Sequence, residues 1–223
     1  MAHRNGFSEL AKLLVRYPGP EKEDELKAIL RRDYPQDVLI GLLTHDVAPT
    51  RRAAVYALGL IGNTEAVAAL IATLHHADLN MRGTAEKALW AIWFRSGDEK
   101  IDDTLRAGVK HLERKQFDLA VAKLTEVIEV APDFPEAYNQ RAVAYYMQEA
   151  WEQSIDDCKK VISRNPVHFG AWAGMGHCYL RLARLNEAIS AYQKALEINP
   201  NLYAVAHTVV QIQHALRERY KTK

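Results

Sequence analysis

Histidines beside carboxylates are the first residues in this chain that could do chemistry. His45-Asp46 and His75-His76-Ala77-Asp78 set imidazoles next to acids, a donor set that zinc accepts. No histidine pair has the i, i+4 spacing that aims two rings at one metal from one helix face, and neither cysteine lies near them in sequence. Turn caps and solvated side chains are the expected roles, and no metal site is assigned. His207 and His214 stand seven apart, on one helix face, and with His177 they offer groups that titrate near neutral pH. Cys158 and Cys178 fall at positions that helical periodicity assigns to the core, so buried thiols are expected. Their helices are expected to be neighbours, so a bridge between them is the alternative. Gly174-Met175-Gly176 lies inside a helical run, where small residues serve helix crossing rather than phosphate binding. Asp102-Asp103 and Asp156-Asp157 are surface or helix-start acids. With no nucleophile beside a base, no phosphate loop and no paired acids, the chain is expected not to be an enzyme and to need no cofactor.

The elements that carry these residues are legible in the spacing. Among 223 residues, 48% are hydrophobic and 26% charged, an ordinary composition for a folded chain. There are 12 basic and 13 acidic residues up to Glu99 and 17 and 15 beyond it, which gives nucleic acid or anionic lipid nothing to select. No apolar run is long enough to span a bilayer, and none at the N-terminus resembles a leader, so a cytoplasmic protein is expected. Phe7, Leu10, Leu13 and Leu14 recur at helical spacing. Pro18-Gly19-Pro20 breaks that helix, and Glu21 to Arg32 forms the next, acids first and bases last as the helix dipole prefers.

Two repeats follow, with different periods. From Gln36 to Phe94 the period is 31 residues: Leu39 matches Leu70, Leu43 matches Leu74, Arg51 matches Arg82, and Ala54, Ala57, Leu58 and Ile61 match Ala85, Ala88, Leu89 and Ile92. Each unit predicts a short helix (Val38–Thr44; Ala66–His75), a polar turn and a longer helix rich in small residues. From Ile101 the period is 34 residues, marked by Pro132, Pro166 and Pro200. Its last copy reads Trp172-x2-Met175-Gly176-x2-Tyr179, then Ala188-x3-Tyr192, then Pro200. Gly108/Ala120, Ala142/Ser154 and Gly176/Ala188 supply small residues where paired helices cross. Leu202 to Arg219 is one amphipathic helix with Val205, Val209, Ile212 and Leu216 as its stripe.

The 34-residue pattern resembles the tetratricopeptide repeat over about 101–218, and the 31-residue pattern resembles HEAT repeats over about 36–96, in the short form seen in bacterial proteins and in bilin-lyase-type proteins. The resemblance implies an all-α, right-handed α-α superhelix. HEAT-like repeats and an N-terminal cap would occupy 1–98, and three tetratricopeptide repeats with a capping helix 99–223, stacked as one solenoid. It also implies a non-enzymatic scaffold that binds a protein or peptide on the concave face, lined by non-motif positions of each first helix. Here those positions include Leu105, Val109 and Leu112; Asn139, Val143, Tyr146 and Met147; His177 and Arg181; then His207 and Gln211 on the last helix. An apolar anchor suits the first of these and an acidic group the end with Arg181 and His177.

Family members that hold the acidic tails of heat-shock chaperones use lysine, asparagine and arginine at five positions. Those positions here are Leu105, Val109, Gln140, Gly170 and Gly174, so that two-carboxylate clamp is absent. Three other uses compete: self-association through the apolar half of the groove, an accessory or lyase-like partner of a pigment or cofactor enzyme through the HEAT-like half, and nucleic-acid binding through Arg51, Arg52 and Arg82. The balanced charge weighs against the last.

Overall fold

The computed structural model describes the backbone of residues 3–221 and the side chains of residues 9–218. Phe7 and Arg219 therefore lie outside the described side chains. Described residues form thirteen α-helices and no strands, and the chain divides into two compact units, Met1–Trp93 and Phe94–Lys223.

The first unit holds α1 (His3–Arg16), α2 (Glu23–Asp33), α3 (Gln36–Gly41), α4 (Ala48–Ile61), α5 (Val67–Thr73) and α6 (Leu79–Trp93). Pro18 to Pro20 ends α1 as expected, and Pro20 opens a single 3-10 turn before α2. The two short helices tighten into 3-10 turns, Leu42–Thr44 after α3 and Thr64–Ala66 before α5. The longer helices bury the small-residue face that the spacing predicts: Ala54, Ala57 and Leu58 on α4, and Ala85, Ala88 and Leu89 on α6. A Cβ on Gly59 would stand 3.2 Å from the Ala88 backbone, which shows how closely these helices cross.

The second unit is built from four first helices and three second helices. α7 (Glu99–Glu113) pairs with α8 (Phe117–Val130), α9 (Pro135–Met147) with α10 (Trp151–Arg164), and α11 (Phe169–Arg181) with α12 (Leu185–Ile198); α13 (Tyr203–Lys221) follows. Asp98 caps α7 by accepting from the Lys100 and Ile101 amides. Each pair turns through one left-handed residue, Lys115 (φ 59°), Glu149 (φ 61°) and Ala183 (φ 57°), again 34 apart. That conformation crowds a Cβ against the next carbonyl. Ala183→Gly is expected to raise unfolding stability by about 1 kcal/mol, read by urea denaturation.

Close crossings hold the pairs. A Cβ on Gly176 would come within 2.5 Å of the Tyr192 ring, and one on Gly108 within 2.8 Å of Leu124. Tyr192, Leu124 and Ala188 are fully buried, and Ser154 Oγ donates to the Ala142 carbonyl at 2.8 Å, satisfying the hydroxyl that stands where the repeat usually has alanine. The stripe of α13 (Val205, Val209, Ile212) packs on α11 and α12.

Candidate functional site

Arginine and histidine in the first unit serve its turns. Arg51 donates to the carbonyls of His45 and Asp46, and Arg82, one repeat later, donates to the carbonyl of His76. His45 Nδ1 accepts from the Val47 amide and His76 Nδ1 from the Asp78 amide. Arg52 lies on Asp78, whose carboxyl it holds below the usual range by hydrogen bonding. These cations are engaged within the chain, with Arg52 still half-exposed.

The second unit contains a cavity of about 120 Å³, lined by Asn139, Ala142, Val143 and Tyr146 of α9, Ser154 and Cys158 of α10, and Gly170, Gly174 and His177 of α11. Its wall is mostly apolar. Four of the groove residues expected from sequence meet in it: Asn139, Val143, Tyr146 and His177. Val143 and, one turn on, Met147 leave 43% and 49% of their surfaces exposed beside this hollow.

The remaining expected residues stand elsewhere. Leu105 is fully buried in the core formed with Leu124, Val127 and Ala137, so it is not a groove residue; it faces the second helix of its own repeat. Leu112 packs half-buried on the same core, and Val109 is half-buried on α7. Arg181 lies over the Trp151 ring, 5.1 Å from its centroid, and 3.9 Å from Glu149. His207 and Gln211 are exposed on α13, outside the cavity.

Behind the cavity is a polar network centred on two fully buried residues. Glu136 and His168 are fully buried, and His168 Nε2 donates to Glu136 Oε2 at 3.1 Å. The Ala171 amide donates to His168 Nδ1, which places the proton facing Glu136 on Nε2. The other Glu136 oxygen accepts from Asn139 Nδ2 (2.9 Å) and Gln140 Nε2 (2.6 Å). Asn139 is thereby oriented, with Nδ2 turned to Glu136. His177 Nδ1 lies 2.8 Å from the Tyr192 hydroxyl, and Tyr146 stacks edge-on against Trp151. Desolvation holds His177 below the ordinary imidazole range and pushes the Cys158 thiol far above its own. Cys158 is therefore a protonated wall of the cavity rather than a nucleophile, and it and Cys178 are free, buried thiols.

The sequence reading missed Ala142, Ser154, Cys158, Gly170 and Gly174. The glycines carried a usable signal. They stand four apart on one face of α11, so their missing side chains open one continuous gap. A Cβ on Gly174 would meet nothing nearer than Cys158 Sγ at 3.6 Å, an ordinary contact. Unlike Gly176, this glycine is not required by helix crossing, and it costs α11 about 1 kcal/mol relative to alanine.

Paired helices repeating in register, with a lined hollow between successive first helices, define a helical-repeat protein. Comparison with known families resolves the two halves: the family model of HEAT repeats matches residues 10–90 and 35–114, and those of the tetratricopeptide repeat match 105–163 and 170–202. The chain carries HEAT repeats followed by tetratricopeptide repeats. It is 31% identical over 99 residues to small glutamine-rich tetratricopeptide repeat-containing protein 2 of Saccharomyces cerevisiae, covering 44% of this chain and 29% of that one. It is 29% identical over 108 residues to a TPR repeat-containing protein of Rhizobium etli, covering 48% and 53%. The chain thus spans well under two thirds of these relatives. Among solved structures, the Sgt2 TPR domain of Aspergillus fumigatus aligns with TM-score 0.53 at 22% identity over 56% of this chain and 83% of that one. The first TPR of Spaghetti (RPAP3), bound to an HSP90 peptide, aligns with TM-score 0.52 at 24% identity over 53% and 94%. Both show the fold. No helix among the described residues is long and apolar enough to cross a membrane.

Proposed function

We propose that the tetratricopeptide half is a protein-interaction module that binds a segment of a partner protein along α9 and α11, and that the chain works as a non-enzymatic adaptor. The observation that carries this is the mostly apolar hollow of about 120 Å³ bordered by exposed Val143 and Met147. Exposed apolar side chains that border an apolar hollow form a contiguous surface, the kind that marks interaction sites. The Spaghetti domain of the same fold holds a peptide, which lends the reading support.

The segment is not an acidic chaperone tail gripped by a two-carboxylate clamp. The five clamp positions hold Leu105 in the core, half-buried Val109, Gln140 tied to Glu136, and two glycines. None offers a cation to a carboxylate.

The test is selection of peptides from a random display library on the whole chain, with affinities then measured in solution. Val143→Glu with Met147→Glu alters only exposed side chains, so the fold is retained. It is expected to weaken the selected peptides at least about tenfold. Equal binding by both proteins would remove the groove from the adaptor reading.

A further inference from the structure

The α9–α10–α11 cavity has a chemistry specific enough to name what fills it, provided the groove reading above holds. We infer that the cavity takes one neutral, branched aliphatic side chain, leucine or isoleucine, from a partner segment whose backbone stays uncharged at that point.

Size comes first. Engineered cavities of about 150 Å³ stay dry and admit benzene, so a hollow of about 120 Å³ has room for a single apolar side chain the size of leucine or isoleucine. Its shape depends on Gly174, which no helix crossing requires: the nearest atom to a Cβ there is Cys158 Sγ, against 2.5 Å from Tyr192 for a Cβ on Gly176.

Charge comes second. No lysine or arginine lines the cavity. Glu136, fully buried, holds the Asn139 side chain from behind and accepts from Asn139, Gln140 and His168, so it offers no donor to an entering group. A ligand carboxylate would be desolvated there without a counter-ion.

Polarity comes third. Asn139 is 94% buried (6% exposed), lines the cavity, and gives Nδ2 to Glu136, so its Oδ1 acceptor has no partner among the described residues. That oxygen suits a backbone N–H beside the entering side chain. At the mouth, His177 has Nδ1 engaged by Tyr192 and Nε2 left for a second polar contact.

The probes are N-acetyl-leucine methylamide, which carries the side chain and an N–H, and N-acetyl-leucine with its free carboxylate. Each is titrated into the whole protein and followed by the amide NMR signals of Gly170, Gly174 and His177. The neutral probe is expected to shift these signals with millimolar affinity, the carboxylate at least about fivefold more weakly. Gly174→Ala fills part of the cavity without a clash and is expected to weaken the neutral probe about tenfold with the remaining spectrum preserved. Equal or tighter binding of the carboxylate overturns the inference, as does a neutral probe that leaves the three signals still or binds Gly174→Ala equally well. Shifts at these signals on raising protein concentration alone would make the occupant a second copy and overturn it too. Selected peptides that survive Gly174→Ala but not Val143→Glu would sink the cavity inference and leave the groove. Probe binding without any selected peptide would do the reverse.

Discussion

Arg141→Ala is expected to lower unfolding stability by about 3–5 kcal/mol, the loss that follows when one member of a buried ion pair is removed. Arg141 forks onto Asp157, Nε to Oδ2 at 2.7 Å and an Nη to Oδ1 at 3.0 Å, while its other Nη donates to Thr125 Oγ1 at 2.8 Å. One side chain thus ties α8, α9 and α10 together, and it also lies 5.7 and 5.8 Å from the ring centroids of Tyr138 and Tyr145. Asp157 is 2% exposed, so without the guanidinium its charge stays in the interior with Lys160 as the remaining cation, 3.0 Å away and half in water. Urea unfolding of Arg141→Ala, Asp157→Ala and the double variant measures the coupling. The double variant should be more stable than Arg141→Ala, because it no longer buries a carboxylate whose one remaining cation, Lys160, is half in water. Additive losses would mean that the pair contributes packing alone.

That network was not visible in the sequence, although the 34-residue spacing of the paired helices was. Proline at 34-residue intervals, the Gly108/Ala120 and Gly176/Ala188 crossings and the apolar stripe of α13 follow from local periodicity. Each helix signals its own face, so fold and repeat order could be read directly. Arg141 and Asp157 are sixteen residues apart on different helices, and nothing in either helix indicates that they meet. Of the expected groove residues, periodicity placed Asn139, Val143, Tyr146 and His177 around one hollow, and it misplaced those whose direction depends on their own second helix. Leu105 occupies a position that lines the groove in related repeats, yet here it turns into the core with Leu124, whose methyls already crowd Gly108. Gly170 and Gly174 were read as missing cations. The structure gives their absence a positive consequence, because two side chains that are not there make the hollow.

The second large effect belongs to the residues behind that hollow, where stability and binding meet. His168→Ala is expected to cost about 3–5 kcal/mol, from three separate losses. The His168 ring caps α11 by accepting from the Ala171 amide, and a lost N-cap costs about 1 kcal/mol. Its Nε2 proton serves Glu136, and a hydrogen bond to a charged group contributes about 1.5–3 kcal/mol. Removing a fully buried ring also leaves a void. Glu136 would still hold Asn139 and Gln140 through its other oxygen, but Oε2 would be buried without its histidine. Glu136→Gln in the His168→Ala background should therefore recover part of the loss by removing the charge. If the double variant is no better than His168→Ala, the penalty lies in the cap and the void and not in the carboxylate. The same substitutions separate structure from recognition. Asn139 keeps its orientation only while Glu136 accepts from it, and α11 carries Gly170, Gly174 and His177 on the opposite wall. A chain with His168→Ala, measured well below its melting temperature, should bind selected peptides more weakly even though no residue lining the cavity has changed. Unaltered affinity in that variant would mean that the wall keeps its shape without the network behind it.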